Sequence, residues 1–383
     1  MLLLFAYFFD AETYNHFNQI YYTASLIILF SSLGFNIAVT RINISLKIVF
    51  LAVLVNALLV YLILQIVSDP FNNLFDIVSI LIYSVFISAS GIFVFHLLFI
   101  GRYKDYVLLT LLYSIFHLLI IPAILFFHIN FFTALPIAGF LWFSIVLLKY
   151  TTLKITTADR SFTKLKEFYK IGISAFVINS AVSLALAADK YFVNHFFNLE
   201  VANSYTFAWG LTAPMFYIGV IIEQYLFSEL NTSKSNILKK GFSLSTSLVI
   251  LYAVCVLFAV YFFPAILPTS VNYSIVISVL TLMISGYSIY VIFHFPVNVY
   301  LFKSLGTEKQ KNISIIFSII ISAFVVLYIV IMQEIVALNY LWLLIITWSY
   351  IFILLITKVL LMFRKDEEGF LPEPTLDVKN LEP

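Results

Sequence analysis

Residues 44–66 read ISLKIVFLAVLVNALLVYLILQI, an almost unbroken apolar run with a single lysine near its start. An α-helix needs about 20 such residues to cross the hydrocarbon core of a bilayer, which is about 30 Å thick. The runs are too long and too continuous for the alternating strands of a membrane β-barrel. Comparable runs fall at roughly 18–38, 76–100, 105–127, 131–149, 171–197, 202–228, 242–266, 271–299, 313–332 and 337–360, with a shorter one at 1–9. The sequence therefore predicts an all-α membrane protein with about twelve transmembrane helices.

The composition supports the same fold class and excludes several functions. Of the 383 residues, 63% are hydrophobic and only 10% are charged, whereas a soluble domain is about half apolar and a quarter charged. We assign the 41 Phe and 24 Tyr to lipid contact and helix packing, so no nucleic-acid partner is expected. The chain has one cysteine, scattered histidines and no phosphate-binding loop. We therefore expect no metal site and no cofactor.

The positive charges alternate along the chain. All but one of the 21 lysines and arginines lie in every second connection or in the C-terminal tail, and the exception is Lys190. Cytoplasmic loops of membrane proteins carry an excess of Lys and Arg. The alternation therefore predicts that the basic connections and both termini are cytoplasmic. The connections expected to face outward are 67–73, 128–130, 267–270 and 333–336.

The chain also contains an internal repeat. FFDAETYNHF at 8–17 aligns with FFNLEVANSY at 196–205, at an offset of 188 and with four of ten positions identical. Both segments join one apolar run to the next, which favours a duplication about an axis along the membrane normal. We expect two six-helix lobes, at 1–149 and 171–362, joined by a cytoplasmic linker at 150–170 and followed by a disordered cytoplasmic tail at 363–383.

The same offset gives an expectation about the start of the chain. The counterpart of the helix at 171–197 would begin before residue 1, so the first helix is expected to be incomplete. Two explanations stay open, a start codon further upstream and a shortened, inactive copy.

Three segments resemble one transporter family. ADKYFVNHFFNLEVANSYTFAWGLTAP at 188–214 is similar to the seventh-to-eighth helix region of bacterial polysaccharide flippases, within the multidrug, oligosaccharidyl-lipid and polysaccharide exporter superfamily. FFDAETYNHFNQIYYTASLIILFSSLGFNIAVTR at 8–41 resembles their first-to-second helix region, and FKSLGTEKQKN at 302–312 resembles the loop before their eleventh helix. The resemblance implies two lobes around a cavity that opens alternately to each side of the bacterial plasma membrane. It also implies a polyprenyl-pyrophosphate-linked oligosaccharide as cargo for surface polysaccharide, such as O-antigen, with membrane lipid, a polymerase and assembly proteins as partners.

Asp189 and Lys190 form the strongest candidate site, because ionisable residues inside membrane spans are costly and usually functional. Neighbouring residues on a helix point about 100° apart, so each needs a partner from elsewhere. Two interpretations stay open. They are ordinary interfacial charges, or Lys190 contacts phosphate or sugar while Asp189 orients it or takes part in ion coupling.

Five further polar residues are candidates for binding substrate or ion. Glu223 and Gln224 lie near the inner end of their run, either at a solvated mouth or at a cation or proton site. His117 lies near the midplane and either bonds to a neighbouring helix or carries protons. Asn56 and Asn179 lie near mid-depth, where they form interhelical hydrogen bonds or line a cavity for sugar hydroxyls.

The leading functional hypothesis is transport of a lipid-linked oligosaccharide from the inner to the outer leaflet. The first alternative is a drug or metabolite exporter of the same superfamily, driven by Na⁺ or H⁺. The second is a membrane enzyme such as a polysaccharide polymerase. The predicted outer connections are short and nearly uncharged, which counts against an enzyme.

Overall fold

The structure is a computed structural model, and its description covers most of the chain. Side chains are not described at some positions inside the helices, among them 64–68, 120–127 and 178–188. The described residues are 6–39, 42, 44–68, 74–127, 131–152, 162–228, 234–304, 312–313, 315–321, 323 and 339–363.

Within these residues the protein is all-helical. Ten long helices follow one another: α1 (Ala11–Ser32), α2 (Leu46–Ser68), α3 (Leu74–Phe99), α4 (Tyr103–Phe127), α5 (Phe131–Thr152), α6 (Phe162–Phe196), α7 (Leu199–Ser228), α8 (Lys234–Phe262), α9 (Tyr273–Ser304) and α10 (Tyr340–Phe363). A short helix, Phe35–Ala38, follows α1, and a 3₁₀ turn, Pro264–Ile266, follows α8.

Eight helices in the described part of the chain are long and apolar enough to cross a membrane. They are Ala11–Ala38, Leu46–Ile63, Phe75–Leu97, Phe132–Thr152, Leu199–Glu223, Leu238–Phe262, Tyr273–Tyr300 and Tyr340–Leu360. This confirms the predicted class, a multi-pass all-α membrane protein. The predicted span at 313–332 and the tail lie mostly or wholly outside the described residues, as does most of the apolar piece at 1–9.

The helix boundaries differ from the apolar runs at two instructive places. The first span begins at Ala11, well before residue 18, because Asp10 caps α1: the Thr13 backbone N–H donates to Asp10 Oδ1 at 2.8 Å. Helix α6 begins at Phe162, inside the segment predicted to be a linker. The first turns of α6 contain several charged residues. These turns belong to the helix but not to the apolar run, so the apolar run begins later than the helix does.

The helices pack around two apolar clusters. In one, α1–α5 pack together with the start of α6. In the other, α9 packs against α7, α8 and α10, and α1 contributes Tyr14 and Phe17. We refer to α1–α5 as the first half and to α7–α10 as the second half. Helix α6 contacts both, since it packs against α1 and against α7 and α10.

The backbone approaches α6 closely where α1 ends. Leu33 and Gly34 adopt left-handed conformations, with φ of 39° and 68°, which end α1 and turn the chain into the short helix Phe35–Ala38. A Cβ at Gly34 would lie 2.3 Å from the Gly172 carbonyl oxygen, and one at Gly172 would lie 2.8 Å from the Leu33 carbonyl oxygen. Only glycine fits at both positions without moving backbone.

Candidate functional site

Asp189 and Lys190 lie on α6, and both side chains are buried, at 1% and 4% exposure. They are therefore not solvated interfacial charges. The Tyr205 hydroxyl donates to Asp189 Oδ2 at 2.7 Å, whereas Asp189 Oδ1 has no hydrogen-bond partner among the described residues. The Lys190 ammonium lies 3.6 Å from the centroid of the Trp209 ring and 5.9 Å from that of Tyr22. As the geometry of adjacent helical residues requires, the partners come from other helices.

The aromatic residues that surround Lys190 are themselves held in place. The Trp209 indole N–H donates to the Tyr287 hydroxyl at 3.0 Å, which fixes the ring that faces the ammonium. The Tyr22 hydroxyl donates to Thr206 Oγ1 at 3.4 Å. Because Tyr22 belongs to the first half and Trp209 to the second, this cation site lies at the junction of the two halves. We call Lys190, Asp189, Tyr22 and Trp209 the junction site.

Further contacts join the halves beside the junction site. Asn203 Nδ2 donates to the Ala11 carbonyl oxygen at 3.1 Å, and Ser270 Oγ donates to the Ala6 carbonyl oxygen at 3.1 Å. All of them involve the Asp10 end of α1, which the charge pattern assigns to the outer side of the membrane. The structure therefore has the halves in contact at that end.

Asn56 forms interhelical hydrogen bonds. Its Nδ2 donates to the Ser31 carbonyl oxygen at 3.1 Å, and its Oδ1 accepts from the Tyr169 hydroxyl at 3.3 Å. These bonds connect α2 with α1 and with the first turns of α6. Both polar atoms of the amide are used, which fits the structural interpretation of this residue.

His117 bonds to two tyrosines of the first half. A carbonyl oxygen only accepts, so His117 Nδ1 donates to the Tyr113 carbonyl oxygen at 3.0 Å. Nε2 then accepts from the Tyr83 hydroxyl at 3.0 Å. The neutral ring satisfies both bonds, and this geometry matches the hydrogen-bonding interpretation of His117.

Glu223, which is half-buried, belongs to a network that the sequence did not indicate and whose other members are buried. Asn298 Nδ2 donates to Glu223 Oε1 at 2.6 Å, and Lys358 Nζ donates to Asn298 Oδ1 at 3.2 Å. Lys358 also approaches His294 Nδ1 at 3.4 Å. The expectation that Lys358 is one of the cytoplasmic loop cations is wrong, because its side chain is only 1% exposed and packs inside the second half. We call Glu223, Asn298, Lys358 and His294 the amide-bridged network.

The structure thus separates the predicted site residues. Asp189 and Lys190 share the junction site, Glu223 belongs to the network, and Asn56 and His117 lie elsewhere in the first half. The side chains of Asn179 and Gln224 lie outside the described residues. Lys358 and Asn298 were missed, although Asn298 stands four residues after His294 and so shares one face of α9 with it.

No grouping suited to a metal ion occurs among the described His, Cys, Asp and Glu side chains. Comparison of the chain with known protein families, with curated proteins and with solved structures gives no match. The fold and the site therefore define a class of protein. It is a multi-pass α-helical membrane protein with a buried cation between two sets of helices.

Proposed function

We propose that this protein is an alternating-access carrier of lipid-linked oligosaccharide, built from about twelve helices in two six-helix lobes. The cargo would be a polyprenyl-pyrophosphate-linked repeat unit, moved from the inner to the outer leaflet of a bacterial plasma membrane. The sequence resemblance to polysaccharide flippases supports this proposal. So does the internal repeat, because its two segments contact each other through Asn203 and the Ala11 carbonyl oxygen.

The junction site is the observation that carries the proposal. A lysine ammonium has three N–H donors, and none of those of Lys190 has a hydrogen-bond partner in the described part of the chain. Aromatic faces stabilise the charge without occupying those donors. A buried cation with free donors is suited to an anionic oxygen, and a phosphate supplies several. Its place between the halves would expose it to each side in turn as the halves move.

The charge alternation supports an orientation with both termini cytoplasmic. In that orientation the basic connections lie beside the leaflet in which lipid-linked precursors are made. A polysaccharide polymerase and assembly proteins would act on the translocated product. The protein itself would form and break no covalent bond, so we do not propose an enzyme.

Deletion of the gene and complementation in the source bacterium would test the proposal. Without the carrier, we expect loss of surface glycan and accumulation of lipid-linked repeat units on the inner leaflet. Lys190→Ala should fail to restore glycan although it reaches the membrane at the wild-type level. Lys190→Arg keeps the charge but changes its geometry, and Lys239→Ala, at an exposed lysine of α8, serves as the matched control.

Two outcomes would contradict the proposal. A deletion strain with normal surface glycan and raised drug sensitivity would favour an exporter. Wild-type glycan levels with Lys190→Ala would remove the junction site from the mechanism.

A further inference from the structure

A buried polar cluster continues the junction site toward the Asp10 end of α1. Asn194 Nδ2 lies 3.4 Å from Thr206 Oγ1, the same oxygen that accepts from the Tyr22 hydroxyl. Helices α1, α6 and α7 pack against one another in pairs, and side chains from all three meet at this oxygen. Asn194 stands four residues after Lys190, so it lies one helical turn, or about 6 Å, further along the same face of α6.

Asn18 lies at a similar level on α1. It stands four residues before Tyr22, so it shares the face of α1 on which Tyr22 reaches α7. Counting back from Tyr22 on α1 and forward from Lys190 on α6 both lead toward the same end of the structure, where the first turn of α1 bonds to α7. We call Asn18 and Asn194 the amide pair.

The amide pair is buried, yet it has polar atoms without partners. Asn18 is 0% exposed, and neither polar atom of its amide reaches hydrogen-bond geometry with another described group. Asn194 Nδ2 donates to the Lys190 carbonyl oxygen at 2.9 Å, whereas its buried Oδ1 has no hydrogen-bond partner in the described part of the chain. A polar group that is buried without a partner costs free energy, so its presence points to a ligand or water that uses it.

The unpartnered atoms at the junction define the chemistry of that ligand. Lys190 offers N–H donors and a positive charge, whereas the amide oxygens and Asp189 Oδ1 are acceptors. A bare pyrophosphate has few hydrogens to donate to these oxygens, and the ammonium would repel a metal cation. A sugar joined directly to a phosphate carries both kinds of group, because its anionic oxygens suit the ammonium and its hydroxyl or amide hydrogens suit the acceptors.

We infer that the amide pair binds the first sugar of the cargo, the one joined to the pyrophosphate. This inference rests on the proposed function, because it assigns the part of the cargo next to the phosphate that Lys190 holds. The halves are in contact around the amide pair, so the sugar would enter when they separate there. The amide pair would make the carrier prefer a sugar-bearing lipid over the bare lipid pyrophosphate.

The first test measures binding to the purified protein in lipid nanodiscs. The two probes are lipid-linked oligosaccharide extracted from the same cells and the same polyprenyl pyrophosphate without sugars. The unmodified protein should bind the sugar-bearing lipid about tenfold more tightly, and Asn18→Leu should abolish this preference without weakening the binding of the bare lipid. Lys190→Ala should weaken the binding of both probes.

The second test separates sugar binding from packing. Leucine is close to asparagine in size, so Asn18→Leu should raise the SDS concentration at the midpoint of unfolding by removing an unpartnered polar group. Asn56→Leu is the matched control, because it replaces a buried amide whose two hydrogen bonds are lost, and it should lower the midpoint. A fall in Asn18→Leu as large as that in Asn56→Leu would make Asn18 a structural residue and overturn the inference.

The outcomes separate the inference from the proposed function. If Asn18→Leu keeps the preference for the sugar-bearing lipid, or if the unmodified protein binds both probes equally, the amide pair does not bind sugar. The carrier still stands in that case when Lys190→Ala loses both probes. If the unmodified protein binds neither probe, both proposals are wrong. Loss of the preference in Asn18→Leu together with a raised midpoint supports the inference.

Discussion

The amide-bridged network allows a quantitative test of the packing inside the second half. Glu223 and Lys358 each bond to the amide of Asn298, at 2.6 and 3.2 Å, and do not contact each other directly. The perturbation is a double-mutant cycle made of Glu223→Gln, Lys358→Met and the double variant. Each single change leaves one charge of the network without its counter-charge, either the buried Lys358 or the half-buried Glu223, whereas the double variant removes both charges.

The expected magnitudes follow from this geometry. With one amide between them, at a separation of about 6 Å and an effective dielectric of about 20, the two charges attract by about 3 kcal/mol. Removing one partner of a buried pair costs about 3–5 kcal/mol. Removal of both charges should cost much less than the sum of the single changes, because no uncompensated charge remains. We expect a coupling free energy of about 2–3 kcal/mol.

The assay is equilibrium unfolding of the purified protein in mixed micelles by titration with SDS. Lys239→Met, at an exposed lysine of α8, is the control and should change the free energy of unfolding by no more than about 0.5 kcal/mol. If the losses of the two single variants add in the double variant to within about 0.5 kcal/mol, the charges are not coupled and the reasoning is refuted.

Three further predictions concern the start of α1, a buried glycine and the topology. The hydrogen bonds from Thr13 lower the pKa of Asp10, so its cap is fully present above the ordinary value of 3.8 and is lost as the pH falls through the lowered pKa. Asp10→Ala should therefore speed amide exchange in the first turn of α1 at neutral pH, and unchanged exchange would count against the cap. Gly286→Ala places a Cβ 2.3 Å from an indole of α10 and should lower the free energy of unfolding by about 1–3 kcal/mol, whereas Gly91→Ala, with open space around it, should not; equal effects would disprove the steric argument. On intact cells an impermeant thiol reagent should label a cysteine placed at Asn130 but not one placed at Thr157, and the reverse pattern would invert the topology.

The sequence predicted the class of fold well because hydrophobic length is a direct physical requirement of the bilayer. It located most helices to within a few residues, for example 105–127 against Tyr103–Phe127. It placed the start of α6 too late because the charged turns from Phe162 onwards add to the helix but not to the apolar run. The number of spans stays a prediction, as does the division into two lobes.

The sites were harder to predict, since their residues come from different helices. The costly pair Asp189 and Lys190 was identified because charge inside an apolar run is conspicuous in any sequence. Lys358 is equally buried, but in the sequence it stands next to the cations predicted to be cytoplasmic and so was grouped with them. Lys358 reaches Asn298 because of the way α10 is oriented about its own axis. The sequence alone does not reveal that orientation, so it does not predict the contact.

The Gly34–Gly172 crossing has a mechanical consequence. The two backbones are in direct contact at this point, with no side chain between them. If α6 tilts relative to the end of α1, the displacement is therefore smallest at this contact. Lys190 lies 18 residues further along α6, about 27 Å from the crossing. A tilt of about 10° about this pivot would carry Lys190 about 5 Å, since displacement grows with distance from a fulcrum. The ammonium would then leave the face of Tyr22, while the glycine contact would hardly change. In helix α6, the close contact at Gly172 and the buried cation of Lys190 therefore lie toward opposite ends, so a small tilt at the contact produces a large displacement at the cation.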